Sequence, residues 1–168
     1  MVVPSQPPSK KPEPDRARPK ASLRARALRL LARREHTRAE LRARLEADGA
    51  EAAELEAVLE EFSRCGWISD TRVLEQVAHA RRARFGSNRI RQELLAKGVP
   101  DDLVDAAMPE LTEGDIDAAR AIWRRKFGEA PGNAAERARQ LRFLQSRGFS
   151  LDVALRVVRE AADDRGNE

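Results

Sequence analysis

Apolar residues recur at spacings of three and four along most of the chain, the period of a helix that buries one face. Leu23, Ala27, Leu30 and Leu31 form the first stripe, with Arg24, Arg26, Arg29 and Arg33 on the other side. Thr37 and Glu40 have the spacing of a capping box, so a second helix is expected from there to about Ala47, where Gly49 ends it. A third stripe, Leu55, Val58, Leu59 and Phe62, closes at Gly66-Trp67-Ile68-Ser69-Asp70. These three helices make a unit over residues 22–69.

The same order returns twice. In residues 70–114 a helix capped by Ser69 or Asp70 carries Val73, Leu74, Val77 and Ala78, and Phe85-Gly86 is a turn. Ile90 and Leu94 mark a second helix that stops at Gly98. Pro100 is expected as the first residue of the third, with Leu103, Val104, Ala107 and Met108 inward and Pro109 distorting its end near Leu111. In residues 115–162 Ile116, Ala119, Trp123 and Phe127 form the first stripe, and residues 128–132 a longer loop. Asn133 and Glu136 suit another capping box, Gly148 breaks the second helix, and Ser150 caps a last one with Val153, Ala154, Val157 and Val158 before a polar end at 163–168. Gly49, Gly98 and Gly148 occupy the same place in each unit. A unit of this size has a small core of its own, so neighbours should stack. The fold expected is all-α: three tandem three-helix repeats stacked into an elongated, curved array.

Composition agrees with helix: Tyr is absent and 36% of the 168 residues are charged, so most helical surface must be solvated. Residues 1–21 hold six prolines among Ser, Lys and Arg and are expected to be a disordered basic tail, solvated rather than bound. With a single cysteine, Cys65, and two distant histidines, His36 and His79, the chain has no ligand set for a metal and no disulfide. It has no phosphate loop, nucleophile motif or interior carboxylate pair, so neither an enzyme nor a cofactor is expected. The absence of an apolar run of signal or membrane length makes the cytoplasm the expected location.

Charge varies in step with the repeat. Arg81, Arg82, Arg84, Arg89, Arg91 and Lys97 stand against Glu93 alone, and residues 120–147 hold eight cations against Glu129 and Glu136. Residues 101–117 hold seven carboxylates and no cation. Units stacked alike would gather a basic face from first and second helices and an acidic one opposite, and a basic groove attracts phosphate or an acidic protein surface. The competing account is solvated helix faces and nothing more. Among the aromatics, Phe62, Trp123 and Phe127 are expected in the core, leaving Phe85, Phe143 and Phe149 as candidates to meet a partner.

Three stretches together resemble the RecX family of regulatory proteins: Arg34-Glu35-His36-Thr37-Arg38-Ala39-Glu40-Leu41 with Gly66-Trp67-Ile68-Ser69-Asp70; Gly86-Ser87-Asn88-Arg89-Ile90-Arg91-Gln92-Glu93-Leu94 with Lys97-Gly98-Val99; and Leu144-Gln145-Ser146-Arg147-Gly148-Phe149-Ser150. The likeness covers about residues 22–160. Where the family has two basic residues before the last Gly-Phe, Ser146 stands in place of the first. The resemblance implies a modulator of the RecA recombinase, acting in DNA repair, homologous recombination and the SOS response. Such a protein binds in the groove of the RecA filament on single-stranded DNA and restrains ATPase, strand exchange and coprotease action; the chain is expected to be a monomer. The contact residues expected from the basic helices are Arg81, Arg82, Arg84, Arg89, Arg91, Lys97, Arg124, Arg125, Lys126, Arg139, Arg142 and Arg147. The rival reading is a helical module that binds single- or double-stranded DNA without RecA and without reading sequence; a scaffold for an unidentified protein is a third.

Overall fold

A computed structural model describes residues 21–165, and the expectation for the proline-rich tail lies outside them. The described residues form nine α-helices and no strand. They are α1 (Leu23–Leu31), α2 (Arg38–Ala47), α3 (Ala52–Arg64), α4 (Asp70–Arg82), α5 (Ser87–Ala96), α6 (Asp101–Glu113), α7 (Asp115–Lys126), α8 (Ala134–Ser146) and α9 (Leu151–Arg165). Their apolar stripes collect into three separate cores. The first contains Leu41, Leu45, Leu59 and Phe62, the second Ile90, Leu94 and Val104, and the third Trp123, Leu144, Ala154 and Val157. This is the all-α repeat array that the periodicity predicts.

Local signals set most helix ends. Thr37 accepts from the Glu40 N–H at 2.9 Å while the Glu40 carboxylate accepts from the Thr37 N–H at 3.1 Å, a complete capping box. At α8 only half of the expected box forms. Asn133 accepts from the Glu136 N–H, but the Glu136 carboxylate takes the Gly132 N–H, because the loop folds back over the helix start. Ser69 caps α4 and Ser150 accepts from the Val153 N–H in α9. Pro100 is the cap of α6 rather than its first residue, and α6 runs through Pro109 to Glu113 instead of ending near Leu111. Pro109 removes one N–H from that ladder, at an exposed position of the helix. Helix α9 continues to Arg165, three residues past the expected end.

The repeats join through their second helices, head to tail. The C-terminus of α5 meets the N-terminus of α2, where the Thr37 hydroxyl donates to the Lys97 carbonyl at 2.6 Å and a Cβ at Gly98 would collide with Ala39. The C-terminus of α8 meets the N-terminus of α5: Gly86 N–H donates to Arg147 O at 2.9 Å and Asn88 N–H to Gly148 O at 3.2 Å. Gly148 has φ of 91°, and a Cβ there would lie 2.6 Å from Arg89 N. Both joints thus need a glycine for close backbone approach as well as for a left-handed turn.

A second device recurs beside each joint. The first N–H of α2 (Arg38) donates to Asp70 Oδ1 at 2.9 Å, and the first N–H of α5 (Ser87) donates to Asp115 Oδ1 at 3.0 Å. Each aspartate opens the first helix of the next repeat. Asp115 also accepts from the Ser87 hydroxyl at 2.5 Å and from Arg82 at 3.1 Å, and it is buried.

A cationic cleft where the second and third repeats meet

Packing divides the twelve candidate cations. Arg81 makes a bidentate pair with Glu93, holding α4 to α5, and Arg82 reaches Asp115 and the Glu110 carbonyl. Arg91 pairs with Asp105 on α6 at 2.9 Å, and Lys97 with Glu40 at 3.1 Å. The hydrogen bonds and field of Glu93 hold the Arg81 guanidinium above its ordinary pKa. These four charges are satisfied within the chain.

The other eight, Arg84, Arg89, Arg124, Arg125, Lys126, Arg139, Arg142 and Arg147, pair with no carboxylate among the described residues. Five of them border two adjoining clefts. One, of about 190 Å³, is lined by Arg84, Arg125, Lys126 and Arg147 with Ile122 and Phe143. The other, of about 370 Å³, is lined by Lys126, Arg139, Phe127 and Phe143. Among the described residues, neither lining contains a carboxylate. The clefts exist because α4, α7 and α8 end near one another: Arg125 on the last turn of α7 donates to the Ala83 carbonyl at 3.4 Å, and the backbone joint described above holds Arg147 beside Gly86.

Aromatic rings hold the cations apart. Arg84 and Arg147 each lie 5.7 Å from the Phe85 centroid, and Arg147 is also 5.3 Å from that of Phe143. Phe143 meets Phe127 edge to face at 5.3 Å, and Arg139 lies 5.8 Å from the Phe127 ring. The result is one continuous ladder of guanidinium groups and rings. Helix C-termini and π faces offset part of the like-charge repulsion. An incoming anion would offset the rest. Charge runs alone point to the twelve cations, and they give no sign of the part played by Phe127, which lies on an apolar stripe, or by Ile122, which is buried in the third core. Phe149, a candidate for partner contact, is instead 3% exposed in the third core, where it packs against Gly86.

The carboxylates of the third helices are consumed in part by their own repeats: Glu56 pairs with Arg38 and Arg42, Glu60 with Arg38, Glu61 with Arg24 and Asp105 with Arg91. No helix among the described residues is long and apolar enough to cross a membrane.

Compared with known proteins, residues 24–62, 69–108 and 113–158 match models of the first, second and third three-helix domains of RecX. The regulatory protein RecX of Leptothrix cholodnii is 47% identical over 151 residues, covering 90% of this chain and 96% of the relative. Those of Chromobacterium violaceum and Ralstonia nicotianae are 45% and 42% identical, over 85% and 88% of this chain and 93% and 94% of theirs. The crystal structure of RecX from Lactobacillus salivarius superposes with a TM-score of 0.74 at 16% identity, covering 83% of this chain and 94% of that one, so it supports the fold. The relatives are named as regulatory proteins, not as enzymes. With all three domain models matched in order and close relatives spanning most of its length, the chain belongs to the RecX family of regulatory proteins.

Proposed function

We propose that the chain regulates the RecA recombinase by lying, as a monomer, in the groove of the RecA filament on single-stranded DNA, where it restrains ATP hydrolysis, strand exchange and coprotease action. The observation that carries this reading is the group of eight cations that pair with no carboxylate among the described residues, five of them around one pair of clefts. A filament groove offers protein carboxylates and DNA phosphates together, so a surface with cations left over and held in place by rings is complementary to it. Contacts to neighbouring RecA subunits would oppose the relative motions their turnover requires. The filament places this activity in the cytoplasm, in recombination and the SOS response.

The test is filament binding and the single-stranded-DNA-dependent ATPase of RecA, titrated with this protein well below the RecA concentration and repeated with DNA in excess. Inhibition that persists in excess DNA is the expected result. Inhibition that vanishes there would favour the module that binds nucleic acid without RecA, a reading favoured by the cations and rings that line the clefts.

A further inference from the structure

The geometry points to a nucleotide-sized subsite at the joint of the second and third repeats: one phosphodiester of a single strand in the smaller cleft and its neighbouring unpaired base in the larger one. The inference rests on the basic surface being the binding face and adds what that face takes. The smaller cleft gathers four cations from three helix ends around Ile122 and Phe143, and among the described residues no carboxylate lines it. Arg147 is oriented by Phe85 and Phe143 on its flanks, so its guanidinium is already placed before an anion arrives. The larger cleft differs in kind. It has two rings, Phe127 and Phe143, with Arg139 and Lys126 at its edge. Phe143 and Lys126 belong to both clefts, which puts an anion site and a ring-lined site side by side.

That juxtaposition distinguishes among polyanions. A plain phosphate chain would use only the first cleft. A duplex keeps its bases paired and stacked on one another, so none is available to the rings, whereas an unpaired base has a free face for an aromatic or guanidinium plane. Every base has such a face, so binding should not depend on sequence.

The experiment is fluorescence anisotropy of a labelled thymidine oligonucleotide with the full chain, with three competitors: the same oligonucleotide made abasic, duplex DNA and inorganic polyphosphate. The thymidine strand should compete about tenfold better than its abasic form. Arg125→Ala with Lys126→Ala should weaken binding and lower the log–log salt slope by about 0.7 for each phosphate no longer neutralised. Phe143→Leu should weaken binding several-fold and leave the slope unchanged. Because Phe143 also packs against the third core, Arg147→Lys is the companion variant. It keeps the charge and the carbonyl that receives Gly86, loses the planar stack, and should reproduce the Phe143→Leu result. Equal competition by abasic strand and polyphosphate, with both variants unchanged, would overturn the subsite. ATPase inhibition that survives while the subsite fails would leave the RecA reading standing, and stacking-dependent binding by a chain that does not inhibit RecA would do the reverse.

Discussion

His36 shows how much a single side chain is constrained by what surrounds it. It is 7% exposed, its Nδ1 lies 2.9 Å from the Arg34 carbonyl and so carries the proton, and it sits among Arg34, Glu40 and Lys97. Burial, helped by the two cations, holds its pKa below the ordinary 6.5 despite the pull of the Arg34 carbonyl and Glu40. As pH falls through 6.5 the unfolded chain therefore takes up a proton before the folded one does, and stability present above that pH is lost below it. His36→Asn keeps a donor for Arg34 and removes the titration. The urea midpoint of the wild type should fall between pH 7 and about 5.5 while that of the variant stays nearly level; parallel curves would contradict this. Burial opposes ionisation of Glu40, but hydrogen bonds from Arg34, the Thr37 N–H and Lys97 outweigh it and hold the carboxyl below its ordinary 4.5. Its contribution is accordingly lost only at lower pH, as the medium passes below 4.5 through the folded value. At Gly148, an alanine would face both a left-handed backbone and the Arg89 backbone, so Gly148→Ala should cost more than the ~1–2 kcal/mol of the conformation alone. Gly49 has φ of 79° with nothing within 4 Å of its missing Cβ. Gly49→Ala should cost only the conformational part, and equal urea midpoints for the two variants would refute the close-approach account.

Between elements, the aspartate that opens each following repeat is the connection most exposed to a test. Asp115 receives the Ser87 N–H, the Ser87 hydroxyl and Arg82. Burial pushes its carboxyl above the ordinary 3.8 against those donors. Asp115→Ala strands the Ser87 N–H and hydroxyl, both buried, and leaves Arg82 only the Glu110 carbonyl, and should cost about 1–3 kcal/mol. Asp70→Ala, at a half-buried position with one such hydrogen bond, should cost less, both read from urea midpoints; the opposite order would show that the shared geometry does not carry the joint. Helix content, the three-fold repeat and most caps were legible in sequence because each depends on residues within a turn or two. Asp70 illustrates the limit: a local reading makes it a cap for its own helix, while its carboxylate in fact receives an N–H 32 residues earlier. Pro109 marks a second limit, since a local rule sets the helix end near Leu111 with Pro109 distorting it, whereas the helix runs on through Pro109 to Glu113.

For the whole molecule, charge runs located the basic stretches but could not say which cations were left over. That depends on which carboxylates the third helices bring across, as Asp105 is brought to Arg91, or on a packing partner 57 residues away, as Glu40 is for Lys97. The clefts were illegible for the same reason, being made where three helix ends from two repeats converge. The central claim is that the leftover cations, not basic charge in general, face the RecA filament. Two double variants with equal loss of charge separate these: Arg125→Ala with Arg147→Ala at the cleft, and Arg81→Ala with Arg91→Ala among the internally paired cations. The decisive measurement is inhibition of the RecA ATPase by each, in excess DNA and at a temperature where both are folded by circular dichroism. The account predicts that the cleft pair loses inhibition by an order of magnitude or more, at about 1.4 kcal/mol per tenfold, while the paired set inhibits nearly as the wild type does. Equal loss in both, or none in the cleft pair, would contradict it.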